Sequence, residues 1–369
     1  MTQEQETSMK IGVIGNWGHH GAVLDETDRM PEASVVGIAP GFDAEDLTSL
    51  ETRYAGTATR YADHRTMLSE KRPDVVIIST RLDRIAGLAA DAAHAGCHTI
   101  CEKPLAVTHE DLARLWRAIN SCRTQCIAML PNRNQPVLAA ARRAVESGRI
   151  GEVKLLNARK SYKFSGPRSG WIARRVSYGG TLPWIGIHAL DFIDSVIAVP
   201  FTSLSAMHGN VAHPKDPECE DVCTMNLRLE GGALATVSVD YLRPGSANSH
   251  GDDWLRIVGT EGSIEAAMER NQCTVIDRDG HGEIADFSER LPYYAPIIRG
   301  FPAPGSAGPA EATARSFYLT HVALRARDAA DTGTIVSDLT PPWGRDLGKF
   351  NRHTAACDAS NHLPRRIHE

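Results

Sequence analysis

Two short constellations in this chain carry groups that could move protons. Glu102-Lys103-Pro104 sets an ammonium beside a carboxylate, and Gly186-Ile187-His188-Ala189-Leu190-Asp191 sets an imidazole three residues before another carboxylate. A compact ammonium can stabilise a developing alkoxide, and desolvation can lower its pKa toward a catalyst's working range. Pro104 biases the preceding lysine to an extended backbone, which fixes the direction of its side chain. An imidazole exchanges protons near neutral pH, and Asp191, on the same helical face, either orients it by accepting a hydrogen bond or serves as a structural group. The bland alternatives are a lysine in an ordinary turn and a histidine that serves a helix start.

A third constellation is the row Gly15-Asn16-Trp17-Gly18-His19-His20-Gly21. The dinucleotide fingerprint G-x-G-x-x-G, between a strand and a helix, lets a pyrophosphate approach the helix N-terminus. Here Trp17 replaces the middle glycine and Gly18 follows one place later, so a cofactor loop and a simple tight turn both fit. After the second strand an acid normally takes the ribose 2′-hydroxyl of NAD, but Ala39-Pro40-Gly41 stands there instead. Asp43 lies beyond that turn and no arginine offers itself to a 2′-phosphate, which leaves NAD and NADP equal. The eight cysteines include three C-x-x-x-C pairs, a spacing that matches neither a redox motif nor a zinc ribbon. Zinc near His208, His213, Cys219 and Cys223 is outweighed by buried free thiols, and no metal is expected.

The elements that must position these groups follow from periodicity. Apolar strands are expected at Lys10–Ile14, Ala33–Ile38, Asp74–Ser79, His98–Cys101 and Cys126–Leu130, with helical stretches between them. The run Val75-Val76-Ile77-Ile78 suits a parallel strand buried on both faces, and the alternation as a whole predicts a doubly wound α/β sheet. Pro136–Ser147 reads as a helix and Val153–Tyr162 as a long strand. From about residue 200 the pattern turns antiparallel, with alternating Met225, Leu227 and Leu229, a Glu230-Gly231-Gly232 turn, then Ala235, Val237, Val239 and Tyr241. Trp254–Val258 and Cys273–Ile276 read as shorter strands. The proline-rich stretch Tyr293–Pro309 reads as a loop, and Glu311–Asp331 as a helix ending at Gly333. A chain of 369 residues with a formal charge of −5 and no basic block argues for about two domains and against a nucleic-acid partner. No run is apolar enough to span a membrane and no leader is seen, so a cytoplasmic address is expected by default.

Taken in order, these motifs are similar to those of the Gfo/Idh/MocA family, the glucose–fructose oxidoreductase and inositol dehydrogenase group. The resemblance runs from about Lys10 to Leu339 and rests on several stretches. They are the glycine row, Asp74-Val75-Val76-Ile77-Ile78-Ser79-Thr80, Ala95 through Pro104, Arg133-Asn134-Gln135-Pro136, Gly148 through Val153, Gly179-Gly180 and Gly186 through Asp191. It implies a Rossmann domain over 1–131, then a substrate-binding and oligomerisation domain over 132–340 with a large, mostly antiparallel open sheet. A C-terminal extension would fill 341–369. It also implies hydride transfer between NAD or NADP and a sugar, cyclitol or related polyol. Lys103 and His188 occupy the positions family enzymes use for proton handling. Gly15, Asn16, Trp17, Gly18, Thr80, Arg81, Glu102 and Lys103 would face the cofactor, and Lys103, Tyr162, Trp184 and His188 the substrate.

Two departures stand out. Trp184 occupies the place where many members carry an aspartate, four residues before the histidine; tryptophan cannot move a proton, but it can stack on a sugar face. Thr80-Arg81-Leu82 replaces the usual Thr-Pro-Asn, and Arg81 would contact the cofactor or an acidic substrate, or simply be solvated. Lys163, Trp171, Tyr293 and Tyr294 are further pocket candidates. The alternative reading is a non-catalytic ligand sensor or regulatory protein of the same fold; within the enzyme class, transient oxidation that enables bond cleavage is another. The resemblance further implies a homodimer or homotetramer through the open sheet. Light scattering at micromolar protein is expected to return a multiple of the 40.1 kDa chain mass.

Overall fold

The computed structural model describes residues 8–284, 292–301 and 307–344. In chain order the first unit holds β1 (Met9–Ile14), α1 (His20–Thr27), β2 (Ala33–Ala39), α2 (Thr48–Arg53), β3 (Thr59–Arg60) and α3 (His64–Lys71). It continues with β4 (Val75–Ile78), α4 (Leu82–His94), β5 (His98–Cys101), α5 (His109–Cys122) and β6 (Cys126–Ala128). These six strands form one parallel sheet in the order β3-β2-β1-β4-β5-β6. All four residues of β4 are fully buried, as a strand covered by helices on both faces must be. Helix starts follow local chemistry: Asp63 accepts the Thr66 amide at 2.9 Å ahead of α3, and Thr108 accepts that of Asp111 at 3.1 Å ahead of α5.

The second unit begins with α6 (Pro136–Glu146), β7 (Val153–Lys163), α7 (Arg175–Tyr178) and α8 (Ile187–Ile197). Strands β8 (Phe201–Gly209), β9 (Val222–Leu229), β10 (Leu234–Arg243), β11 (Trp254–Gly259), β12 (Ser263–Ala267), β13 (Gln272–Asp277) and β14 (Gly280–Glu283) follow. The eight-stranded order is β14-β13-β12-β11-β7-β10-β9-β8. All neighbours are antiparallel except β7 and β10, which run parallel because α7, α8 and a hairpin separate them in sequence. Strands β3, β8, β12 and β14 are additions to the strands expected above; β3 and β14 are too short to show a period.

The stretch expected to be a loop at Tyr293–Pro309 instead contains α9 (Tyr294–Gly300), followed by α10 (Ala307–Thr332). The reason is a distant carboxylate. Glu26 on α1 accepts the backbone amides of Tyr293, Tyr294 and Ala295 at 3.0, 2.7 and 2.9 Å, an anion on the donors of a helix start. Tyr294 thereby lies fully buried with Val23 and Leu24 in the first unit's core, not in a pocket. Pro302 and Pro304 fall outside the described residues, as do residues 345–369 of the expected extension.

Helix α10 closes the edge of the parallel sheet. Thr313 and Ser316 accept the amides of Cys126 and Ala128 in β6 at 3.2 and 2.9 Å, supplying partners that an edge strand otherwise lacks. Glu26→Ala is expected to lower unfolding free energy by about 1.5–3 kcal/mol, the range for hydrogen bonds to a charged group. Denaturant unfolding of the variant beside its parent measures this.

Candidate active site

The site forms where the carboxyl ends of β1, β4 and β5 meet α8 and β7, the crevice in which open α/β sheets bind ligands. At its floor, Ser79 and Trp17 exchange hydrogen bonds, with the Trp17 amide 2.9 Å from the Ser79 carbonyl. Gly15 and Gly18 hold φ of 81° and 96°. A Cβ on Gly18 would strike the Glu102 carboxylate, so the glycine is needed for the close approach. Glu102 is fully buried beneath the loop and accepts both the His19 amide (2.8 Å) and its Nδ1 (2.9 Å). Burial pushes its pKa up, but His19 and Lys103 prevail and hold the carboxyl below its usual range.

Glu45, unnoticed in the sequence, ties three segments of this crevice together. Its carboxylate accepts the Asn16 amide (3.2 Å), the Gly41 amide (2.7 Å) and the Thr80 hydroxyl (3.0 Å). Asn16 is held further by Asp46 and Ser49. Arg81 folds back onto Asp83, with Nη2 2.7 Å from the carboxylate, so it is neither a freely solvated charge nor extended toward the crevice.

Lys103, only 1% exposed, donates to the Trp184 carbonyl at 2.7 Å and stands 4.0 Å from Glu102. That carbonyl lies in a widened π-helical turn, Leu182–Gly186, which runs into α8 and carries His188 on its first turn. Burial lowers the Lys103 pKa to about 8; Glu102 opposes the shift and Lys160 adds to it. His188 is buried, and among the described residues neither ring nitrogen has a hydrogen-bond partner. Burial, helped by Lys103, Lys160 and His19, drives its pKa well below 6.5.

The expectation that Asp191 orients this imidazole is corrected. Asp191 faces Arg133, 3.5 Å away, because its position on α8 points to the turn before α6 and not along the crevice. Burial raises its pKa to about 6 against the pull of Arg133.

Two residues that sequence reasoning missed complete the charge pattern. Lys160 on β7 is buried and paired with the equally buried Asp253. Its signal was present: Leu156, Ala158 and Lys160 share the buried face of β7, and a lysine in such a row calls for a partner. Tyr162 lies with its ring 4.8 Å from the Lys160 ammonium. Together His19, Lys160, Tyr162, His188, Asp253 and Glu269 line a polar cavity of about 260 Å³.

Trp184 borders the crevice as part of an aromatic group, with its ring 6.0 Å from Trp17 and 5.6 Å from Tyr178, while Trp171 meets Trp17 edge-on at 4.7 Å. Lys163 is turned away to the Ala247 carbonyl. The four residues considered for zinc are otherwise engaged or dispersed: His213 pairs with Asp221 at 2.8 Å, and His208 with Asp331 at 3.0 Å. Among the described residues no group of three or more His, Cys, Asp or Glu could hold a metal ion. Two cations against one imidazole predict that His188 stays neutral throughout the physiological pH range. Its ring carbon and nitrogen shifts, followed by NMR, are expected to show no titration there.

Comparison with known proteins agrees with this architecture. Residues 9–129 match an oxidoreductase family with an NAD-binding Rossmann fold, and residues 138–265 match the GFO/IDH/MocA C-terminal domain. A solved structure described as an oxidoreductase from Thermotoga maritima superposes with a TM-score of 0.82 at 34% identity, covering 89% of this chain and 99% of that one. Levoglucosan dehydrogenase in complex with NADH and levoglucosan shares the fold, with a TM-score of 0.74 at 22% identity over 89% of this chain and 99% of that one. The levoglucosan dehydrogenase of Pseudarthrobacter phenanthrenivorans is 27% identical over 255 residues, which are 61% of this chain and 63% of that protein. The match thus spans less than two thirds of this curated relative. With both halves matched in order and a close structural relative covered almost end to end, the chain belongs to the Gfo/Idh/MocA oxidoreductase family.

Proposed function

We propose that this chain is an NAD-dependent dehydrogenase that oxidises a hydroxyl of a sugar or polyol. The observation that carries this reading is a buried imidazole with both nitrogens unpaired among the described residues, set beside two buried lysines at the mouth of the dinucleotide crevice. The glycine loop fits a dinucleotide. Gly15 and Gly18 adopt conformations that side chains resist, and a Cβ on Gly21, in the first turn of α1, would meet nothing within 4 Å. Gly15, Asn16, Trp17, Gly18 and Thr80, with Glu102 fixing the loop from beneath, would hold it; when bound, the nicotinamide supplies the hydride acceptor. Asp43, Glu45 and Asp46 crowd the turn after β2 with negative charge, which favours NAD over a cofactor with an extra phosphate.

The protein's own groups manage the proton. His188, neutral because it is buried beside cations, accepts the hydroxyl proton as the carbonyl forms. The Lys103 ammonium stabilises the negative charge developing on oxygen. Trp184 contributes through its backbone: the carbonyl aims Lys103, where a carboxylate at this position would have neutralised it. Lys160 adds positive potential, and Asp253 keeps that second cation tolerable in a buried place. The small polar cavity suits one hydroxylated ring, and levoglucosan, on which a relative acts, is such a molecule.

A sugar and polyol panel with NAD and with NADP, followed at the absorbance of the reduced cofactor, tests the reading. Turnover with NAD is expected, with weaker use of NADP. His188→Ala is expected to lower kcat about 10²–10⁴-fold, and Lys103→Met at least as much, while NADH binding stays near that of the parent. Because the working form of Lys103 is the ammonium, activity is expected to fall as pH rises through about 8. If both variants turn over within about threefold of the parent, the roles of His188 and Lys103 are wrong.

A further inference from the structure

One cation near the crevice has no anion of its own. Arg168 lies on the loop after β7, and among the described residues its guanidinium forms no ion pair; its Nη1 is buried with no hydrogen-bond partner. The nearby Asp216 carboxylate is taken by the Arg168 backbone amide at 2.6 Å, not by the guanidinium. Four rings surround its Cζ instead: Tyr241 at 4.9 Å, Tyr178 at 5.0 Å, Trp184 at 5.2 Å and Phe164 at 5.9 Å.

Rings of this kind attract a cation to their faces. Removing a charge from water is costly, and a buried cation ordinarily gains a carboxylate in return. Arg168, half-buried and hydrogen-bonded to Tyr178, has been given planar walls without that carboxylate. A second unsatisfied donor lies beside it: the hydroxyl of the buried Tyr241, whose ring is 4.9 Å from the Arg168 Cζ, has no hydrogen-bond partner among the described residues. The cluster adjoins the proposed catalytic groups on two sides. Trp184 carries the Lys103 ammonium 5.8 Å from its ring, and Tyr162, which lines the cavity with His188, lies 6.3 Å from Tyr241.

We propose that Arg168 and the Tyr241 hydroxyl bind the carboxylate of an acidic sugar, a uronate or aldonate, whose oxidised hydroxyl lies toward His188. The proposal rests on the dehydrogenase reading for its orientation, but the anion site itself does not require turnover. A carboxylate suits it because the guanidinium offers a planar fork of donors, and flanking rings exclude the water that would compete. This deepens the substrate class from hydroxylated rings in general to those bearing one carboxylate.

Titration of the NADH-loaded protein through its tryptophan fluorescence, with Trp184 in the site, reads binding without needing chemistry. D-glucuronate and D-galacturonate are expected to bind at least about tenfold more tightly than D-glucose and D-galactose. In Arg168→Gln that ratio is expected to shrink to within about threefold, and in Tyr241→Phe to fall by about three- to tenfold. Arg168→Lys, which keeps the charge but loses the fork, is expected to lie between. Neutral sugars that bind the parent as tightly as the uronates would overturn the proposal, as would an unchanged ratio in Arg168→Gln. Binding of D-glucose 6-phosphate but of neither uronate would overturn the carboxylate assignment too. Should Arg168→Gln fail to fold, the parent's ratio and Tyr241→Phe decide. Tight uronate binding with no NADH formed from any sugar would sink the dehydrogenase reading and leave the anion site standing.

Discussion

Burying charge between two domains is the constraint from which the site follows. Glu102, Lys103, Lys160 and Asp253 are each at most 4% exposed, and leaving one of them without its partner would cost about 3–5 kcal/mol. Each therefore dictates something nearby. Glu102 needs donors, which it finds in His19 and so draws the glycine loop down over itself. Lys103 needs an acceptor, and the widened turn ahead of α8 presents the Trp184 carbonyl. Lys160 needs an anion, which fixes the approach of Asp253 ahead of β11 to β7. Burial among these cations keeps the His188 imidazole neutral.

The same economy of partners explains how the two sheets hold together. Helix α10 comes late in the chain, yet its hydroxyls finish the edge of β6 and its apolar side joins the core that runs from the first sheet into the second. Glu26 does for α9 what a local capping residue would otherwise do. In both cases the partner is more than 180 residues away in sequence. A junction of this kind matters because Lys103 and His188 come from different domains, and the proposed proton transfer would depend on their separation.

Trp184 shows how a departure from a family pattern can be absorbed. As a side chain it removes a carboxylate from the crevice and joins Trp17 and Tyr178 in an aromatic wall. As backbone it keeps a hydrogen bond to Lys103 that any residue could offer. Trp17 makes the parallel exchange in the glycine loop, where its amide and carbonyl bind Ser79 while its indole fills the space between Trp171 and Trp184.

Much of the architecture was legible in the residues because it depends on short-range physics. The unbroken apolar run at β4, the alternation through β9 and β10, Thr108 at a helix start and Gly96 at a helix end each state their structure locally. The motif residues Lys103 and His188 were visible for the same reason: their neighbours in sequence are their neighbours in the motif. What depended on distant partners was not legible. Helix α9 hangs on Glu26, the nucleotide crevice on Glu45, and the charge of Lys160 on Asp253, 93 residues on. Spacing suggested that Asp191 would serve His188, but the orientation of α8 against Arg133 decided otherwise. Sequence determined which groups could carry charge; only the folded chain decided which of them would be buried together, and burial sets their protonation.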